Sequence, residues 1–234
     1  MKNFPFKTLL WVSLFAVAFA MIETAVVIYL REIFYPEGFA FPLKMISPDL
    51  AVVETVREFA TLLLLVSIAV VAANKFNTGF AWFIYAFAIW DIFYYVFLYV
   101  FIGWPESLLT WDILFLLPFT WVGPVIAPII NSLSMILLAV IIIKYQQTLK
   151  IRIWHWAGLI IGAIIVIISY TEDYVGFMGS DFSIMELLSV NHTEGVIEKA
   201  GHYIPQQFAW WIFITGVAIH LFIIGDIYRK NHKR

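Results

Sequence analysis

Apolar residues run along this chain in six long stretches, near residues 8–30, 50–73, 79–102, 113–143, 153–170 and 208–228. Each is long enough to cross a hydrocarbon core about 30 Å thick, which takes roughly 20 helical residues. The pattern predicts an all-α polytopic bundle of six transmembrane helices. The second span opens on Ser47-Pro48-Asp49, a capping hydroxyl, a first-turn proline and an acid near the positive end of the helix dipole. The third closes at Gly103-Trp104-Pro105. The fourth carries Pro118, Pro124 and Pro128, and each internal proline removes a backbone hydrogen bond. One helix kinked by these prolines is the expectation there, with a re-entrant segment as the alternative.

Composition agrees. The chain is 63% hydrophobic and 13% charged over 234 residues, whereas soluble domains carry about a quarter charged residues. It has no cysteine, which excludes disulfides, thiolate metal sites and a cysteine nucleophile. The start, MKNFPFKTLLWVSLFAVAFA, has a signal-peptide outline with Ala18-x-Ala20 as a cleavage site. Its apolar run continues through Leu30, so an uncleaved first span is expected.

Lysine and arginine favour cytoplasmic loops. With the N-terminus inside, Lys2, Lys7, Lys75, Lys144, Lys150, Arg152, Arg229, Lys230, Lys233 and Arg234 fall on the cytoplasmic side, ten of the 14 basic residues. Arg31, Lys44, Arg57 and Lys199 remain outside. Both termini are therefore expected to be cytoplasmic, in a plasma membrane or a bacterial inner membrane. The long acidic connection at 171–207 lies outside.

Against this apolar background the stretch ETVREFATLLLL, Glu54 to Leu65, places three charges at the mouth of a span. Glu54 and Glu58 share a helix face, with Arg57 beside them and Thr61 continuing inward. At about 1.5 Å per residue, Glu54 lies about 10 Å along its helix from Ser47 and Glu58 about 6 Å further. Glu23 falls in the outer half of the first span, and Asp91 is the deepest acid, with Tyr94 and Tyr95 at neighbouring helical positions. Asn131 is a further polar group in the fourth stretch. Ionisable groups at such depth usually face a bundle interior or a water-filled path. The plainer alternative is structural: Glu54 pairing with Arg57 at the interface, Glu58 with Arg31, and Asp91 as a protonated, hydrogen-bonded acid.

The acids outnumber the cations, and buried carboxylates in excess must take up protons or a cation. Either Glu23, Glu54, Glu58 and Asp91 exchange protons or bind a cation transiently, or they hold a divalent metal through oxygen ligands. The first four spans contain no histidine, so the Glu-x-x-His pattern of di-iron bundles is absent. His155 and His220 would approach one another near the cytoplasmic side, a minor candidate for haem ligation. His192 and His202, with Glu194 and Glu198, form a similarly minor candidate metal site in the outer loop.

The outer loop segment GSDFSIMELLSV suggests a short amphipathic helix, either a lid over the carboxylates or a simple connection. Asn191-His192-Thr193 fits a glycosylation pattern. Trp104, Trp111, Trp154, Trp156, Trp210 and Trp211 fall near predicted membrane ends, as an aromatic belt requires. No serine-nucleophile elbow, phosphate loop, zinc-protease motif or dinucleotide fingerprint occurs, and no basic surface suits nucleic acid. The acids crowd residues 1–145, which suggests a functional four-helix unit supported by two helices in 146–234. The leading expectation is proton- or cation-linked transport of a small solute. The alternatives are a membrane enzyme with an oxygen-ligated metal acting on a lipid or hydrophobic substrate, and an accessory subunit docking a membrane protein or a second copy.

Overall fold

A computed structural model describes residues 4–44, 47–117, 120–187 and 194–232. Six of its helices are long and apolar enough to cross a membrane. They are α1 (Phe6–Phe34), α2 (Pro48–Ala72), α3 (Phe76–Ile102), α4 (Ile126–Lys144), α5 (Ile153–Met178) and α8 (Trp210–His232). Two short helices, α6 (Ile184–Leu187) and α7 (Glu194–Ala200), lie between α5 and α8. Strands β1 (Trp111–Phe115) and β2 (Trp121–Pro124) form an antiparallel hairpin before α4. The membrane bundle is helical, as its apolar periodicity predicts. Lys2, Pro118, Leu188, His192, Lys233, Arg234 and the glycosylation pattern lie outside the described residues.

Local sequence explains the helix ends. The Ser47 hydroxyl accepts a hydrogen bond from the Leu50 N–H at 3.3 Å, and Pro48 follows at the first helical position, where no donor is needed. Gly103 ends α3 in the left-handed region at φ 66°, a conformation only glycine adopts without strain.

The fourth apolar stretch differs from the expectation of a kinked helix. Its first part is the hairpin, and the helix begins only at Ile126. Pro128 sits in the first turn of α4, where its missing N–H leaves no gap, and Pro124 ends β2. Apolar composition alone does not distinguish a hairpin from a helix of similar hydropathy. Chain atoms on both sides take up the exposed backbone: the Val125 and Ile126 N–H groups donate to Thr110 and Leu108 carbonyls at 3.0 and 2.8 Å. α5 likewise runs past its expected end at 170, so the connection after it begins at Gly179.

α3 is the central helix, packing against α1, α2 and α4. α5 and α8 form a close pair that joins the rest through α4 and β2. Their approach is set by small residues: a Cβ on Gly216 would lie 2.7 Å from Val166 Cγ2 and 2.9 Å from the Gly162 carbonyl oxygen. Contacts gather Tyr145, Lys150, His232 and Asn231 at one end of the bundle. The hairpin, α7 and the ends of α1 and α3 gather at the other. Between the two ends, Val12, Ala16, Leu65, Trp82, Leu138 and Ile142 belong to one buried apolar core.

Candidate functional site: an acidic cavity beneath the hairpin

α2 carries its charge inward. Its buried positions are Ala51, Glu54, Glu58, Thr61, Leu65 and Ala69, while Val53, Val56, Phe59, Leu63 and Leu64 are exposed on the other side. This is the reverse of a soluble amphipathic helix, because the surroundings are lipid and the polar face must find partners within protein.

Three helices bring ionisable groups to one level. Glu23 lies eleven residues from the end of α1, Asp91 eleven from the end of α3, and Arg57 nine beyond the first residue of α2. At about 1.5 Å per residue, all sit about 14–16 Å from the hairpin-end termini of their helices. They line a cavity of about 300 Å³ together with Arg31, Glu54, Glu58, Tyr94, Tyr95 and Asp112.

The two guanidinium groups in this cavity wall are already engaged. Arg57 donates through Nε to Glu54 at 2.8 Å and through Nη2 at 2.7 Å, and its Nη1 bridges to Glu23 on α1. Arg31 donates through Nη2 to Asp112 at 3.1 Å. Its guanidinium lies 3.8 Å from the centre of the Trp104 ring and 4.6 Å from that of Phe39, within cation–π range. Trp104, just past the end of α3, therefore holds a cation. Arg31 Nη1 is buried and has no acceptor among the described residues.

Asp112 reaches this position because β1 turns it inward, where it is 2% exposed and also accepts a hydrogen bond from the Tyr95 hydroxyl at 3.3 Å. Burial pushes its carboxyl above the usual aspartate range, and the Arg31 charge offsets part of that rise.

Glu58 and Asp91 are held differently. Glu58 Oε2 accepts the Leu116 N–H at 2.8 Å, just past the end of β1. Asp91 Oδ2 accepts the Ser132 hydroxyl of α4 at 2.8 Å. Neither makes an ion pair among the described residues. The expected pairing of Glu58 with Arg31 is therefore replaced: the hairpin interposes Asp112 as the partner of Arg31 and offers Glu58 a backbone amide instead.

Of the polar-pocket residues expected from sequence, Glu23, Glu54, Arg57, Glu58, Asp91, Tyr94 and Tyr95 all line the cavity, and Asn131 does not. Its neighbour Ser132 reaches Asp91, one helical position further round. Small polar residues in an apolar span, Ser132 and Ser134, were the available signal. Ser134 turns back to the Asn131 carbonyl. Leu187, Val196, Ile197, Ala200 and Gly201 of the long connection also line the cavity, beside Tyr174 of α5. These described parts of the connection complete the cavity wall.

Glu23 and Glu54 are spent on Arg57, and no three acidic or histidine groups converge to hold an ion among the described residues. His155 and His220, the candidate haem pair, each hydrogen-bond to protein groups. Arg152 N–H donates to His155 Nδ1 at 2.8 Å, which leaves the His155 Nε2 proton to donate to Asp226 at 2.9 Å. His220 Nε2 donates to the Leu159 carbonyl at 3.0 Å. Both imidazoles are structural partners between α5 and α8. In the outer loop, His202 bonds the Glu198 backbone carbonyl at 2.9 Å. The Glu194 side chain lies outside the described residues.

No protein-family model, curated protein or solved structure matches the chain.

Proposed function

We propose that this protein is a proton-linked carrier of a small solute, with Glu58 and Asp91 as its exchangeable acids. The observation that supports the reading most is the division of the cavity's charges. Glu23, Glu54 and Asp112 each have an arginine, whereas Glu58 and Asp91 have only neutral donors. A carboxylate in such a setting is balanced by a proton or a positively charged ligand, and exchange between the two couples binding to proton movement. Arg57 fixes α1 to α2 at the level of exchange, and Arg31 fixes the hairpin to the end of α1.

The distribution of lysine and arginine supports cytoplasmic termini in a plasma or bacterial inner membrane, with the cavity facing outward. The connection carrying α7 then acts as the cover that solute must pass. Residues 1–145 contribute the charged groups, and α5 and α8 brace the hairpin that positions two of them.

A second reading rests on the packed apolar core between the cavity and the opposite end. Trp82, Leu65, Leu138 and Ile142 close the route toward the opposite end, as suits a pocket that binds its ligand without passing it on. This would be a membrane enzyme acting on a hydrophobic substrate, or an accessory subunit paired with another membrane protein or a second copy.

Purified protein reconstituted into vesicles separates the two. An imposed pH gradient should collapse faster with wild-type protein than with Glu58→Gln or Asp91→Asn, once solute is supplied to one side. Equal collapse in all three, with each variant correctly folded, would reject the carrier and leave the closed pocket.

A further inference from the structure

We propose that the cavity binds an organic monocation, an ammonium head on a compact aromatic or aliphatic body. This rests on the carrier reading above and names the solute class it moves.

Charge decides the sign of the ligand. An anion entering the cavity meets no guanidinium that lacks a carboxylate partner. Arg57 is shared by Glu23 and Glu54, and Arg31 is held by Asp112 and stacked on Trp104. Arg31 Nη1 is buried without an acceptor among the described residues, on a guanidinium whose charge is already matched by Asp112. A cation instead meets two carboxylates that lack one. Glu58 is only 7% exposed, and its Oε1 has no donor among the described residues. Asp91 Oδ1 is in the same condition.

The walls decide between an inorganic and an organic cation. A bare divalent ion needs several converging oxygen ligands, and the described residues supply no such group. The cavity instead presents Phe39, Trp90, Tyr94, Tyr95 and Phe115. Aromatic faces attract an ammonium and pack an apolar body while repelling an anion.

Size sets the last limit. At about 300 Å³ the cavity is at the lower end of small-molecule pockets, roughly 300–1,000 Å³. It suits a single ring or a short branched chain rather than the two acyl chains of a membrane lipid.

The test uses three probes that share one phenylalkyl body: 2-phenylethylammonium, 3-phenylpropan-1-ol and 3-phenylpropionate. Calorimetric titration into detergent-purified full-length protein should give saturable binding of the ammonium, at least about tenfold tighter than the alcohol, with the carboxylate weakest. Glu58→Gln and Asp91→Asn should each weaken ammonium binding by about tenfold or more, and Glu172→Gln, outside this cavity, should not. Equal binding of all three heads, preference for the carboxylate, or no saturable binding of the ammonium to folded wild-type protein would overturn the proposal. The head-group comparison needs no variant, so it stands even if a substitution impairs folding. Ammonium binding without proton flux in vesicles would sink the carrier reading and leave this one intact. Proton flux without ammonium binding would do the reverse.

Discussion

Arg57 shows how one side chain sets the character of its surroundings. It holds two carboxylates from two helices, so removing it leaves Glu23 and Glu54 facing one another without a cation. Breaking a buried ion pair from one side costs about 3–5 kcal/mol, and Arg57→Gln should fall near about 3 because the group keeps partial exposure. Adding Glu23→Gln and Glu54→Gln to that variant should recover part of the loss. Detergent-melting midpoints of the single and triple variants check this, and a triple variant less stable than Arg57→Gln would refute it. Asp112 makes a second prediction at this scale. Its carboxyl titrates above the unfolded range, so the folded state binds that proton more tightly than the unfolded chain does. The stability it contributes is fully present below the ordinary aspartate range and is lost as pH rises through the elevated folded value. Asp112→Asn should flatten that part of the melting-point profile relative to wild type; an unchanged slope would show that Asp112 is not its source. The spacing of Glu54, Arg57 and Glu58 was legible in the sequence, because a helix puts residues three and four apart on one face. Their partners were not. The sequence holds Arg31, Asp112 and Ser132 far from the acids they serve or displace, and only the fold decides that Arg31 meets Asp112 rather than Glu58.

Among the elements, α2 was the easiest to anticipate and the hairpin the hardest. Ser47-Pro48-Asp49 announces where α2 starts, and its polar face is periodic. The hairpin lies within an apolar run with span-like hydropathy, so its prolines suggest a kink, whereas Pro124 marks the end of a strand and Pro128 the first turn of a helix. Its consequence for the site is large, since it supplies the Asp112 carboxylate and the Leu116 amide. The α5–α8 pair gives a sharper element-scale prediction. Gly216→Leu would drive side-chain atoms into Val166 and the Gly162 backbone, forcing the helices apart at a cost of about 1–3 kcal/mol. Gly176→Ala, with nothing within 4 Å of the added methyl, should be neutral or stabilise by up to about 1 kcal/mol through helix propensity. Equal melting shifts for the two would contradict the close crossing.

For the molecule as a whole, composition and hydropathy made the membrane bundle plain, and the number of long apolar helices agrees with six. What they left open is how a bundle with so few charges arranges them. The structure gathers Glu23, Arg31, Glu54, Arg57, Glu58, Asp91 and Asp112 around one cavity, leaving a packed apolar core toward the other end. Topology is directly testable because the chain contains no native cysteine. Single-cysteine variants at Glu37 and Lys150 should differ in intact cells: a membrane-impermeant maleimide should label the first and spare the second. The opposite pattern would invert the proposed orientation.

The measurement closest to the central claim is carbodiimide modification of the protein in native membranes, read by peptide mass spectrometry. Carbodiimides attack protonated carboxyl groups in apolar surroundings, so they report which acids lack a cation. Modification of Glu58 and Asp91, with Glu23 and Glu54 spared beside Arg57, is the predicted result. Modification of Glu23 and Glu54 while Glu58 and Asp91 stay untouched would contradict the division of charge on which the functional account rests.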